Sequence, residues 1–177
     1  MILVVLENQR GNIHAFSKEA VSAGQKLASK LGMDLSVLCM GENASSLKEQ
    51  AADFKVQNLI LAQNEMINSY SADGYSKVLS DIINEYEPKY VIMGHSYMVR
   101  DFLPRVSAKL DLPFISDIIS VTYDNDNPVF ARQVFNAKLA TNIQPEQGSN
   151  TTLLSFQSAA FSSEDIELGG NESSLTF

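Results

Sequence analysis

The sequence predicts a three-layer α/β domain: a mostly parallel β-sheet with helices on both faces, and antiparallel strands added near the C-terminus. Three observations lead there. Over the first 112 residues, short apolar runs alternate with amphipathic stretches. After Leu112, strand-like segments follow one another with no helical period between them. From Ser162 the composition turns small and polar. Strand–helix alternation with short connections implies right-handed crossovers and a sheet covered on both sides.

Each element has its own signal. Residues 2–6, Ile-Leu-Val-Val-Leu, form a continuous apolar run, as expected for a strand buried on both faces. Phe16, Ala20, Ala23, Leu27 and Leu31 recur at helical spacing, with Ser17 as the expected cap and Gly32 as the expected stop. A second strand is expected over 35–40, a short helix over 44–52 and a third strand over 59–62. Tyr75, Val78, Leu79, Ile82, Ile83 and Tyr86 share one face of the next helix, which Pro88 ends. Residues 90–93 make a fourth strand that runs into Gly94. A fourth helix carries Phe102, Leu103, Val106 and Leu110, with Asp101 as its expected cap and Pro104 in its first turn. Residues 115–123, 129–135, 138–142 and 151–156 then read as strands joined by turns such as that at 125–128. They are expected to form an antiparallel extension on one sheet edge, or a hairpin reaching towards a partner. The expected domain spans 1–161, followed by a polar linker or tail over 162–177. A domain that runs into a linker and stops reads as the front half of something longer.

Composition removes several classes. The chain has 177 residues, room for one ordinary domain, with 45% hydrophobic and 19% charged side chains. Its net charge of −8 disfavours a phosphate backbone or an anionic membrane surface as partner. Neither nucleic acid nor membrane is expected. No apolar run approaches the roughly 20 residues of a membrane helix. The single cysteine, Cys39, allows no internal disulfide and reads as a small buried hydrophobe, so a cytoplasmic location is expected. The Asn-x-Ser/Thr sequons at Asn43, Asn150 and Asn171 carry no meaning there.

Chemistry-bearing motifs are sparse. Where a Gly-x-Gly-x-x-Gly fingerprint would follow the first strand, residues 7–12 read Glu-Asn-Gln-Arg-Gly-Asn, and no Walker loop occurs. His14, His95 and Cys39 make no local metal motif, and no nucleophile elbow is present. No catalytic residue and no metal site is expected. The one suggestive feature is the loop from Gly94 to Asp101, which leaves a parallel strand and enters a helix, where open α/β sheets place ligands. A nucleotide-like site there would use Gly94 for close backbone approach, with Ser96 and Arg100 as donors. The plainer alternative is a structural loop in which His95 is simply hydrogen-bonded. Likewise, Pro104 and Arg105 are candidates for partner contact, or Arg105 only lies over its own helix.

A family resemblance rests on this same region. Residues 94–110, Gly-His-Ser-Tyr-Met-Val-Arg-Asp-Phe-Leu-Pro-Arg-Val-Ser-Ala-Lys-Leu, resemble the Gly-(Arg/Lys)-Asp-x-x-Pro-Arg segment of electron transfer flavoprotein alpha subunits. The run Ser116-Asp117-Ile118-Ile119-Ser120-Val121 matches the Ser-Asp-Val segment that follows it, and residues 2–7, 17–23 and 153–161 are similar at matching spacings. The resemblance covers residues 1–161 and implies the adenine nucleotide alpha hydrolase-like fold. It further implies a non-catalytic scaffold domain, part of an electron carrier and not an enzyme. In that family the alpha subunit pairs with a beta subunit, and FAD sits in a carboxy-terminal domain whose motifs are missing here. FAD thus belongs to the complete protein and no cofactor is expected on this domain alone. The complex would carry electrons from acyl-CoA or other dehydrogenases to the respiratory chain.

One departure bears on the loop: Val99 stands where the family has glycine, and a β-branched residue hinders close approach to a ligand. The alternative reading is a stand-alone AMP- or ATP-binding module of the universal-stress-protein type. Its late Gly-x-x-Gly-x(9)-Gly-(Ser/Thr) phosphate loop is missing, as is the Ser-Gly-Gly-x-Asp-Ser loop of small hydrolases or ligases of this fold.

Overall fold

A computed structural model describes residues 1–41, 44–145, 148 and 150–177; the Asn43 sequon lies outside them. In chain order the elements are β1 (Ile2–Leu6), β2 (Asn8–Gln9), β3 (Asn12–Ile13), α1 (Ala15–Leu31), β4 (Leu35–Cys39), α2 (Ala44–Gln50) and β5 (Val56–Leu61). They continue with α3 (Ala72–Tyr86), β6 (Tyr90–Gly94), α4 (Tyr97–Leu110), β7 (Phe114–Asp124), β8 (Asn127–Val134), β9 (Leu139–Ile143), β10 (Thr152–Phe156) and β11 (Asn171–Thr176).

The sheet runs β11-β5-β4-β1-β6-β10-β7-β8-β9. It is parallel from β11 to β7, and β8 and β9 add antiparallel at the far edge. This is the expected three-layer architecture. β1 is its axis: Val4 pairs with Val37 on one side and Ile92 on the other. All five β1 residues are buried, because alternate side chains feed two separate cores. Ile2, Val4 and Leu6 pack with Ala20, Val21 and Leu27 of α1 and with Leu47 of α2. Leu3 and Val5 pack with Val78, Leu79 and Ile82 of α3 and with Phe102, Leu103 and Val106 of α4.

Several details differ from expectation, each for a physical reason. The cap of α1 is His14, whose Nδ1 accepts the Phe16 amide at 3.0 Å. Ser17 is buried inside the helix and its hydroxyl accepts the Glu7 amide at 2.9 Å. Gly32 does end α1, in the left-handed conformation at φ 61°. Helix α4 starts at once after β6, capped by Ser96, so Asp101 is an interior residue and Pro104 lies beyond the first turn. Having no N–H, Pro104 leaves the Arg100 carbonyl without its helical donor, on a side of the helix where Arg100 is exposed. β10, expected among the antiparallel strands, is a fully buried parallel strand between β6 and β7.

The largest difference is the tail, which docks instead of trailing. Gln25 accepts the Glu167 amide at 2.8 Å and donates to the carbonyls of Lys55 and Glu167 at 3.1 and 2.9 Å. The amides of Gly169 and Gly170 reach the Asp53 carbonyl, and β11 then pairs in parallel with β5. Salt bridges Lys26–Asp165 and Lys55–Glu167 flank this seam. Local composition could not announce it, since the bonds come from residues far away in sequence.

Phe102 shows how tightly the α3–α4 side is filled. It is fully buried, stacks edge-on against Tyr75 at 5.6 Å between centroids, and its carbonyl accepts the Ser76 hydroxyl at 3.2 Å. Phe102→Ala should cost about 3–5 kcal/mol of stability in a denaturant titration, the usual range for emptying such a site.

Candidate functional site

In an open parallel sheet the ligand crevice opens where strand order reverses, at the carboxyl ends of the two strands that diverge. Here those strands are β1 and β6, and the residues at the mouth are Glu7, Gly94, His95 and Ser96. The chain's own atoms crowd that mouth. A Cβ on Gly94 would stand 2.4 Å from the Phe16 Cβ and 2.6 Å from the Phe16 carbonyl oxygen. Gly94 therefore admits the first turn of α1. Ser96 donates its hydroxyl to the Glu7 carboxylate and accepts the Val99 amide at 3.2 Å. Glu7 is in turn tied through its amide to Ser17. Two of the expected loop residues, Gly94 and Ser96, are thus engaged in closing the crevice.

Arg100 lies elsewhere. Together with His95, Pro104, Phe114, Ser116, Asp117 and Arg132 it lines a neighbouring hollow of about 510 Å³. The loop after β6, strands β7 and β8 and helix α4 supply its walls. His95 is fixed from both ends: its amide donates to the Phe156 carbonyl at 2.8 Å, and its Nδ1 lies 2.8 Å from the Ser155 hydroxyl. Its Nε2 stands 3.9 Å from the Asp117 carboxylate. Burial holds the imidazole below its usual 6.5; Asp117 opposes that shift, and Arg100 and Arg132 add to it. Asp117 is placed by an irregular backbone. It sits at φ 59° beside shifts in the β10–β7 and β7–β8 registers, and its amide reaches Ser155 at 3.3 Å.

Arg100 and Arg132 have no ion-pair partner among the described residues. Arg100 lies 5.5 Å from the centre of the Tyr97 ring, and Arg132 Nε is buried without an acceptor. Arg105, though next to Pro104, turns away to Asp73 at 3.1 Å and Asp101 at 3.5 Å. The structure therefore gathers Arg100 and Pro104 and separates Arg105 from them. Asp117, Arg132 and Ser155 were missed as site residues. For Arg132 a signal existed: it shares strand parity with the fully buried Phe130, so a charge stands on the inward face of β8.

Other features carry less. A second hollow of about 370 Å³, at the ends of β4 and β5, is lined by Gly41, Ser45, Gln63 and Glu65 among others, with no Lys or Arg in its described wall. Cys39 is buried and its thiol is pushed up to about 12 by burial, against an opposing pull from Lys48. Among the described residues no group of three or more His, Cys, Asp or Glu could hold a metal, and no helix is long and apolar enough to cross a membrane.

The model of the electron transfer flavoprotein domain family matches residues 2–172. The chain belongs to the electron transfer flavoprotein domain family. The alpha subunit of an electron transfer flavoprotein from Bacillus subtilis is 31% identical over 137 residues, covering 77% of this chain and 42% of that protein. FixB of Clostridium saccharobutylicum is 30% identical over 144 residues, covering 80% and 43%. The alpha subunit from Clostridium acetobutylicum is 29% identical over 126 residues, covering 71% and 38%. The chain thus spans about two fifths of the length of these relatives.

Two outcomes follow. Gly94→Ala should destabilise the domain by about 1–3 kcal/mol, because Phe16 backbone atoms must move, and equilibrium unfolding measures it. His95 should titrate below 6.5 in an NMR pH series. With its folded value depressed, the unfolded state takes up the proton first, so stability should fall as pH drops below about 6.5 towards the folded value. His95→Gln should flatten that part of the profile.

Proposed function

We propose that this chain is the scaffold domain of an electron transfer flavoprotein alpha subunit. The observation that carries this reading is the crevice between β1 and β6, filled by Phe16 and closed by the Ser96–Glu7 hydrogen bond. With Phe16 against Gly94 and Ser96 bonded to Glu7, a nucleotide seated between β1 and β6 is disfavoured. Family membership and a sealed crevice together favour a domain that holds geometry for a cofactor bound elsewhere. On this reading FAD belongs to a carboxy-terminal domain of the complete protein, and a beta subunit packs against the present domain. The assembled protein would relay electrons from acyl-CoA or other dehydrogenases to the respiratory chain, in the cytoplasm, without catalytic residues on this domain.

The surface offers a place for the partner. The β8–β9 turn exposes Phe135 at 74% and Leu139 at 60%, and Tyr97 stands 88% exposed on the first turn of α4. Aromatic side chains are enriched in protein–protein contacts, so these residues are the candidates for one. The α/β unit of residues 1–161 is the scaffold, and residues 162–177 lie along its edge as the lead towards the flavin-holding domain.

The test is the visible spectrum of the purified chain, alone and after mixing with FAD and a cognate beta subunit. No flavin band from the chain alone, with a stable complex with the beta subunit, is expected. The double change Phe135→Asp with Leu139→Asp should weaken that complex by tenfold or more while leaving the far-ultraviolet circular dichroism unchanged. A stoichiometric flavin band from this chain alone would overturn the reading.

A further inference from the structure

We propose that the hollow lined by His95, Arg100 and Arg132 binds a phosphate dianion, free or carried as a monoester on a small molecule. This goes beyond the scaffold role and does not depend on it.

The first ground is charge. The chain carries −8 overall, yet two guanidinium groups converge on one hollow and neither has an ion-pair partner among the described residues. Among the described residues the only carboxylate in the wall is Asp117, which faces His95. Two arginines against one carboxylate leave a local excess of positive charge, enclosed by a chain of opposite sign. A phosphate monoester brings about −1.5 to −2 at neutral pH and three strong acceptor oxygens. A lone carboxylate would neutralise less and accept fewer bonds.

The second ground is the orphaned donor. Arg132 lines the hollow and its buried Nε has no acceptor among the described residues, so the fold itself does not use up this guanidinium, and unpaired buried donors are uncommon in folded proteins. The planar guanidinium suits a tetrahedral oxyanion because it presents paired N–H donors in a fork. Arg100 approaches from α4 and Arg132 from β8, so an anion between them would be held from two independent elements.

The third ground is shape. About 510 Å³ exceeds what bare phosphate needs and falls in the usual range for small-molecule sites. Phe114 and Pro104 give the same wall an apolar part, against which an organic body could lie. His95 lies beside the arginines and is held in place by Ser155, so it can supply a further donor to the bound group.

The experiment uses the purified 177-residue chain, titrated with inorganic phosphate and with AMP at low ionic strength. Isothermal calorimetry reads affinity, and the His95 ring resonances, one of two histidine sets, report the place. Saturable binding with Kd below about 1 mM is expected, with movement of His95 and not of His14. Arg132→Gln and Arg100→Gln should each weaken binding by tenfold or more, while Arg132→Lys, which keeps the charge, should weaken it less. Lys77→Gln, at an exposed Lys77–Asp81 pair, should leave it unchanged. AMP tighter than phosphate assigns the site to an organic monoester, and equal affinities assign it to free phosphate. The proposal falls if neither anion binds by about 10 mM, or if binding survives both arginine substitutions. It falls equally if those substitutions weaken only a complex with the beta subunit, which would make the arginines receptors for a partner's carboxylate.

Discussion

The close approach of Gly94 to the first turn of α1 is the constraint on which the rest depends. With no side chain at 94, the Phe16 backbone enters the space between the diverging ends of β1 and β6. That seats α1 across the two strands and brings Ser17 to the Glu7 amide. It also leaves the Glu7 carboxylate facing Ser96, the residue that caps α4. One missing methyl group thus couples the two helical layers across the sheet. The same coupling occupies the place where an open α/β sheet would take a ligand.

Much of this was legible from residue pattern, and the failures share a cause. Apolar runs, continuous in β1 and broken only by Ser36 in β4, marked β1, β4 and β6 because strands covered on both faces need no alternation. The 3.6 period marked α1 and α3, and Gly32 marked a helix end by the conformation it alone adopts cheaply. Caps were harder, because an imidazole or a loop serine can accept the orphan amide as well as the residue that pattern favours. β10 was misplaced because Thr152 and Ser155 interrupt its apolar run and hide a strand that is buried throughout. The docked tail and the pairing of Arg100 with Arg132 in one hollow were not legible for one reason: both depend on groups brought together across more than thirty positions in sequence.

The electrostatics divide the molecule into two kinds of charge. Exposed pairs such as Lys77–Asp81 and Arg105–Asp73 lie in water and contribute little, about 0–1 kcal/mol each by common experience. The groups around His95 are different, because the imidazole is largely enclosed and neither arginine that acts on it has an ion-pair partner among the described residues. Family membership follows from the domain as a whole, whereas this recessed cluster is where His95, Asp117, Arg100 and Arg132 act on one another.

The docked tail also has a consequence for how copies of this protein behave towards one another. Without β11, strand β5 would be the outer margin of the sheet, offering unpaired backbone groups along an apolar Leu59-Ile60-Leu61 stretch. Such a margin is a template on which another chain can add, the usual start of edge-to-edge aggregation. The Gln25 clamp and the Lys55–Glu167 pair hold the covering strand in place, so the margin left to another chain is the more polar Asn-Glu-Ser-Ser-Leu-Thr strand β11 and not β5.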